Sequence, residues 1–516
     1  MKKMTLKMWL LGGFVAIASL CATSCAEGVE SEPFSPGVTN AQLESPAADS
    51  FSVSLVGSGE NEQMKVSWTV VMGAGGYLCY AADVTDENNP VVVFEPKVID
   101  GTSFQFPVSE DHTYLYSVKT LGNEQYNNTD AAEATGVRYF HGIVGEPIPA
   151  GSDIGAFIAD HLAANAEAFD AARKENFNWE LAFDLEAGAE YTMATSVDFG
   201  LIPARIRTLN PERPAIINYA AGGEIVTQAG LRLQNLRIDA LNADHQALIC
   251  LSPAPSEEIF CGNLAYMGGT TLWKDLGLNT GKKHSIIEKP IELKNVWVKD
   301  LQQPIFNSYK DNVTTNYGVC TLRFINSIVQ FKGTPKLPAI YMRKGNNQIM
   351  DLTFENTTMF SIDKWNLQFL AGNGQTAKNI FGSMGNNAKW TVKNFTLVLP
   401  DNSKQLADNN RNAPPAEITD CIFYNTKQLI RDGNGFNSKS TIVNSTVYNP
   451  AAGFDSSNYD EDVKNNGAEA PIDPGFEQYQ QSLDFSQPNG GVNFTPTGNA
   501  LAGRRGDARW LPAVAE

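Results

Sequence analysis

Histidine is scarce in this chain of 516 residues. His112, His141, His161, His245 and His284 stand far apart, and neither an HExxH nor a GxSxG step occurs. Zincin and serine-hydrolase chemistry need those spacings, so both are excluded. No Walker-type phosphate loop is present either. Cysteine is sparse as well. Beyond Cys21 and Cys25 there are Cys79, Cys250, Cys261, Cys320 and Cys421, an odd set without a CxxC pair, which speaks against zinc. A Cys250–Cys261 disulfide would close an excursion loop, whereas Cys421 reads as a small packed side chain. Asp460-Glu461-Asp462 lacks the glycine and the spacing of a calcium loop and reads as a solvated turn. Basic residues are outnumbered, 39 against 57 acidic, for a formal charge of −18. That balance argues against nucleic acid as a partner and offers no basic patch for anionic lipid.

Long apolar runs are missing too. Residues 9–20 are apolar but too short to span a bilayer, and Lys2, Lys3 and Lys7 precede them. The segment ends in Ala22-Thr23-Ser24-Cys25, which resembles a bacterial lipoprotein cleavage site. Cys21 is the rival, but Leu20 before it is bulky for such a site. The expectation is a signal peptide over residues 1–24, an acylated Cys25 and a flexible tether over 25–48. Removing residues 1–24 leaves a net charge of −21. A plainly secreted protein is the alternative.

What is present is β-structure of two kinds. Residues 49–140 alternate in short runs such as Met64-Lys65-Val66-Ser67-Trp68 and Thr113-Tyr114-Leu115-Tyr116-Ser117-Val118, the pattern of a β-sandwich. The period then changes. Ile154, Phe157, Ile158, Leu162, Ala166 and Phe169 fall on one helical face with Asp153 placed to cap it, which predicts one helix covering an open sheet edge. From residue 150 to 449 the pattern is that of a coil stacking on itself. Polar hinges at Asn295, Asn326, Asn356, Asn394, Asp420 and Asn444 recur at coil-length intervals, each flanked by apolar residues at period two. A second series of asparagines, Asn312, Asn346, Asn373 and Asn434, follows those at Asn295, Asn326, Asn356 and Asp420 by about half a coil. Asparagine tolerates the left-handed backbone that a tight corner needs. The class is therefore all-β: a sandwich, then a right-handed parallel β-helix with an N-terminal capping helix. Asn235 begins the clear hinges, and the long gap from there to Asn295 suggests a missing coil with a degenerate hinge at Cys261-Gly262-Asn263-Leu264. Residues 450–516 are expected to cap the last coil.

The Asn444-Ser445-Thr446-Val447 step and the chain end Gly506-Asp507-Ala508-Arg509-Trp510 resemble the pectin-lyase-like β-helix lipoproteins of Bacteroidetes. There a fibronectin type III-like module precedes domains of unassigned function, and the resemblance covers residues 50–512. Trp68 and the strand with Tyr114 and Tyr116 resemble the type III pattern, and Glu27, Glu30 and Glu32 resemble a surface-export signal. The resemblance implies a lipid-anchored protein on the outer membrane that binds or handles polysaccharide. Alternatives are a polysaccharide lyase, a glycoside hydrolase of the same fold, and a structural or adhesive surface protein.

The candidate chemistry lies at the second corner of each coil, where the second series of asparagines falls. Lys310, Asp311, Arg343, Lys344, Arg431 and Asp432 occupy matching positions on different coils, and stacking at about 4.8 Å would align them in one groove. β-Elimination on a uronate needs a neutralising cation and a base, and a neighbouring cation can lower the pKa of Lys or Arg enough to serve. Asp311 would hold calcium in that case; no other cofactor is expected. The plainer reading is that the corner charges solvate the turn. Trp297, Tyr309, Tyr341, Trp365, Phe369 and Trp390 divide between sugar stacking and core packing. The lipid anchor has a direct test: Cys25→Ala should move the protein from the membrane to the soluble fraction and abolish labelling by a fatty-acid analogue. Labelling that persists would refute the assignment.

Overall fold

The computed structural model describes residues 38–513 except 58–60, 257, 262–268, 273–282, 309–314, 334–335, 343–346, 373, 375, 401, 403, 409, 425–428, 431–432, 449–472 and 477–480. The signal segment and Cys25 thus lie outside the described residues. The chain divides into two compact units at Gly142/Ile143.

The first unit is a sandwich of antiparallel strands. Strands β1 (Ser52–Val56), β2 (Gln63–Ser67), β3 (Gly76–Asp83), β4 (Val91–Ile99), β5 (Ser103–Pro107), β6 (His112–Leu121) and β7 (Thr135–His141) form two sheets, ordered β1-β2-β5 and β4-β3-β6-β7. Their alternation buries Met64, Val66, Phe104, Phe106, Tyr114 and Tyr116 around Trp68. The Tyr114 hydroxyl accepts the backbone N–H of Ser109 at 2.7 Å, which pins the turn between β5 and β6. The expected tether behaves differently in its described part. Leu43 is buried in the sandwich core, and the Asn128 amide binds the backbone of Val38 and Ala41. Residues 38–48 therefore belong to the sandwich.

The second unit is a parallel β-helix. Its largest sheet stacks strands in parallel from Glu146–Ile148 through Leu181–Leu185, Ala204–Thr208, Leu231–Asp239, Ile291–Leu301, Thr315–Ile325, Gln348–Ser361, Trp390–Val398 and Ala416–Thr419 to Thr441–Val443. A second parallel sheet repeats once per coil, from Val197–Asp198 to Ala407–Asp408. Stacking begins well before Asn235, at Glu146–Ile148.

Every hinge is left-handed. Asn235, Asn295, Asn326, Asn356, Asn394, Asp420 and Asn444 all have φ between 45° and 55°. The strand bends there and continues on a new face, so each coil carries two segments around the hinge besides its strand in the second sheet. Hinge side chains bond between coils: Asn295 Nδ2 donates to Asn235 Oδ1 at 2.9 Å, and Asn444 Nδ2 donates to Asp420 Oδ1. They are half-buried or exposed rather than inward. The buried partner is the residue after the hinge. Ser327 Oγ accepts from Val296 N, Thr357 Oγ1 from Ser327 N, and Ser445 Oγ from Cys421 N. Each hydroxyl donates in turn to the backbone carbonyl just before its hinge, which satisfies main-chain groups that the bend leaves without a neighbour. At the second corner Asn312, Asn346 and Asn373 lie outside the described residues and Asn434 is not left-handed. Gly372 and Gly433 take positive φ there instead.

Several sequence expectations need correction. No coil is missing between Asn235 and Asn295, because Leu231–Asp239 pairs directly with Ile291–Leu301 and Leu236 opposes Val296. Part of the intervening chain is an antiparallel hairpin, Glu258–Cys261 with Gly269–Leu272. Cys250 is a buried free thiol that donates to Glu224, so it forms no bridge to Cys261. The capping helix is two, α1 (Ile154–Ala164) and α2 (Ala166–Glu175), broken at Asn165. Ile154 and Ile158 are buried in the β-helix core, and Phe157, Leu162 and Phe169 pack on it.

The C-terminal region does not sit over the last coil where it is described. Phe476, Leu483, Val492, Phe494, Ala500 and Trp510 pack along the side of the helix, on Ile328, Phe360, Val398, Ile422 and Tyr424. Those five point away from the main core, so without this strap they would face water. Polar latches fix it along its length. Leu483 N donates to Gln330 Oε1 at 2.6 Å, Asp507 N to Thr396 Oγ1, and Arg505 Nη1 to Thr446 Oγ1. The Asp507 carboxylate accepts from Thr358 and from Arg509, and Arg509 reaches Asn326 of the hinge column. Burial pushes the Asp507 carboxyl up, against the pull of Arg509.

Two outcomes follow from this architecture. Asn356→Ala should cost about 1–2 kcal/mol because alanine resists the left-handed backbone, while Asn356→Gly should cost much less. Equal melting temperatures for the two would remove that requirement. Phe494→Ala should cost about 3–5 kcal/mol in a single unfolding transition with the β-helix. An unchanged midpoint would show that the strap is dispensable.

Candidate functional site

The two segments meeting at each hinge carry different sequence patterns, and these patterns decide which face is open. Behind the hinges from Asn326 onward the outer side carries apolar residues as well, as in Ile328-Val329 and Ile422-Phe423, and the strap covers them, whereas Arg237, Asp239 and Lys299 keep charge behind Asn235 and Asn295. Ahead of the hinge apolar and polar residues alternate, as in Leu231-Arg232-Leu233-Gln234 and Ile291-Glu292-Leu293-Lys294. Leu231, Leu233, Ile291 and Leu293 enter the core and their neighbours point out.

Parallel register sorts the outward residues into columns. One runs Arg205, Arg232, Glu292, Arg323, Thr353, Thr391, Glu417. Beside it run Arg207, Gln234, Lys294, Ile325, Glu355, Lys393 and Thr419. Lys294, Arg323, Lys389, Lys393 and Glu417 are exposed, whereas Asp351 and Glu355 are partly so. Lys389 pairs with Glu417 at 2.6 Å. Arg323 stands 3.9 Å from Glu292, and Lys393 stands 4.0 Å from Glu355. Those two separations exceed hydrogen-bond length; Lys393–Glu355 is an exposed pair of the kind that contributes about 0–1 kcal/mol, whereas in the other pair only Arg323 is exposed and Glu292 is buried, so a ligand can compete for the two cations.

Two carboxylates flank Arg323. Glu292 lies buried on the preceding strand and Asp351 on the following one, opposite Thr321. Burial pushes the Asp351 carboxyl above its ordinary range, against the pull of the Lys389 N–H and the Arg323 guanidinium. The strands of Glu292 and Asp351 are two spacings apart, about 10 Å. This arrangement supplies an acid that holds its proton to higher pH, a cation suited to a carboxylate, and a second carboxylate that accepts from hydroxyls.

The residues singled out from the sequence fare differently. Lys310, Asp311, Arg343, Lys344, Arg431 and Asp432 all lie outside the described residues, as does Tyr309. The short strands leading to the first four, Phe306–Asn307 and Ile340–Tyr341, do pair in parallel. Trp365, Phe369 and Trp390 are core residues. Trp297 lies half-buried beneath Arg237, whose guanidinium carbon is 3.8 Å from the ring centroid, and Tyr341 is half-buried. The face ahead of the hinges was not among those candidates, although part of its signal is present: alternation ahead of the hinges, and apolar outer residues such as Ile328, Phe360, Val398 and Ile422 behind the later ones. Among the described residues, no cluster of three His, Cys, Asp or Glu side chains is placed to hold a metal ion.

A family model described as a domain of unknown function matches residues 2–188, a stretch that runs through the sandwich into the first coils of the β-helix. No curated protein matches the chain. Among solved structures, a pectate lyase from Erwinia chrysanthemi in complex with tetragalacturonic acid aligns at 12% identity and a TM-score of 0.12, covering 77% of this chain and 84% of its own. At that score the parallel β-helix rests on this chain's own strand register.

Proposed function

We propose that the protein is a surface-anchored lipoprotein that binds polysaccharide along the open face ahead of the hinges. One observation carries the reading: from Arg232 to Glu417 that face presents charges of both signs on successive coils, while the strap occupies the face behind the hinges. A regular ladder at about 4.8 Å suits a repeating linear ligand. Arginine and lysine recognise sugar carboxylates, and Glu292, Glu355 and Glu417 accept from hydroxyls. The sandwich is read as a fibronectin type III-like spacer, supported by its three- and four-stranded sheets and the Tyr114 tether to Ser109. A lipid at Cys25 would hold both units at the membrane. The corner residues Lys310, Asp311, Arg343, Lys344, Arg431 and Asp432 belong to the proposal as a second, cationic contact, with calcium at Asp311 if β-elimination occurs there.

Catalysis is the second reading, favoured by the raised Asp351 carboxyl beside Arg323 and Glu292. In such a site Asp351 would serve as general acid.

The test compares wild type, Lys294→Ala/Arg323→Ala/Lys393→Ala and Arg343→Ala/Lys344→Ala for affinity toward an acidic and a neutral polysaccharide. Loss of the three face cations should weaken acidic-polymer binding about tenfold at low salt and flatten its salt dependence. Unchanged binding in that variant would remove the face from consideration. A loss confined to the Arg343/Lys344 variant would move the site to the corner. Unsaturated products or new reducing ends that depend on Asp351 would turn the binding protein into an enzyme.

A further inference from the structure

The open face is closed at one end, and the closure is built from cations and aromatics. Along the column Arg205, Arg232, Glu292, Arg323 the arginine side chains go from 1% to 24% to 46% exposed toward the C-terminal coils. Arg205 points away from the core yet is fully buried, because Glu180, from the segment entering Leu181–Leu185, reaches it. Arg205 Nη2 donates to Glu180 Oε2 at 2.7 Å, and Arg232 Nε stands 3.7 Å from the other oxygen. Lys289 joins the pair just before its own strand begins. Its ammonium donates to the Trp179 carbonyl at 2.9 Å and lies 5.3 Å from the centre of the Phe177 ring. The fold makes room for it: a Cβ on Gly230, at φ 140°, would come 2.8 Å from the Lys289 Cβ.

We infer that this closed end is a subsite for the anionic terminal residue of a sugar chain, so that the protein holds its polysaccharide by an end. The inference rests on the proposed function and adds where the chain stops and what recognises it. A polymer lying along the columns from Glu417 toward Arg232 meets Glu180 and Trp179 and has no continuation. There Arg232 and Lys289 meet a terminal carboxylate, while the half-buried Phe177 and Trp179 offer apolar surface to the sugar ring. Glu180 positions both arginines. The groups facing Lys289 are Glu180 and Glu288 on one side of the balance and Arg205 and Arg232 on the other. Burial first, and the two arginines after it, bring the pKa of the Lys289 ammonium down to about 8, against the two carboxylates.

The experiment uses the full chain with an oligogalacturonate, its carboxyl-reduced neutral counterpart and a long polygalacturonate. Calorimetry on wild type should give one protein per chain end whatever the polymer length, with at least tenfold weaker binding of the reduced oligomer. Arg232→Gln and Lys289→Gln should each lower oligomer affinity about tenfold with melting temperature near wild type. Wild-type affinity should fall from pH 7 to pH 9, as the ammonium loses its charge. Lys289→Arg should restore affinity and abolish that pH dependence, which a purely structural role for Lys289 would not do. Several proteins per long chain at the same affinity per site would overturn end recognition. So would wild-type affinity in both Gln variants alongside weakened binding in Lys294→Ala/Arg323→Ala/Lys393→Ala, an outcome that leaves the open face in place. If wild type binds neither acidic probe, both the subsite and the polysaccharide reading fail.

Discussion

One backbone constraint organises this molecule. At each coil a single residue must turn the strand through a left-handed bend, and seven such residues stand in one column. Asparagine and aspartate accept that conformation at lower cost than other side chains with a Cβ, and their polar groups bond to the same position one coil away. The bend also interrupts the sheet ladder. The Ser or Thr after the hinge repairs it at Ser327, Thr357 and Ser445, by accepting one main-chain N–H and donating to one carbonyl. Cys421 occupies the same slot with a thiol, which donates to the Thr419 carbonyl and whose pKa burial pushes up to about 12. The recurring Asn-Ser-Thr step is therefore the chemical content of a corner.

The hinge column also divides the surface. Strands behind it from Asn326 onward carry apolar residues on both sides and need a second covering layer, which the strap supplies. Its latches reach the hinge column itself through Arg509 to Asn326 and Arg505 to Asn444. The chain-end sequence that resembles a family signature is thus a packing element: Asp507 and Trp510 both bind the hydroxyl of Thr358, and Gly506 has no space for a side chain against Thr396. From Thr315–Ile325 onward the strands ahead of the hinges bury one face and leave much of the other exposed. That outer side is left uncovered by the strap.

Charge is distributed accordingly. The acidic excess of the whole chain says little about this face, where Arg232, Lys294, Arg323, Lys389 and Lys393 stand among Glu292, Asp351, Glu355 and Glu417. Lys393–Glu355 is long and exposed, a weak contribution to stability and a suitable condition for exchange with a ligand, while Arg323–Glu292 is long with its carboxylate buried and Lys389–Glu417 is close. Toward the N-terminal coils the same columns become enclosed, and Arg205–Glu180 replaces open pairs with a buried one.

The period of the hinges and the alternation around them determined the parallel β-helix, the sandwich before it and the helical segment between, because corners and buried faces impose local rules on each residue. Asn295, Asn326, Asn356, Asn394, Asp420 and Asn444 are legible for that reason, since a left-handed bend selects the residue that sits in it. The direct stacking of Asn295 on Asn235 was not legible, because a hairpin excursion between them breaks the period without breaking the stack. Nor was the strap, since the segment that covers Ile328 and Phe360 lies far downstream and has no period of its own. The candidate face falls between these cases. Its alternating residues can be read from the strands, but only the tertiary structure decides that the strap leaves it uncovered and that Glu180 and Trp179 close its end. Burial of an outward side chain depends on which distant segment lies across it, and local sequence carries no record of that.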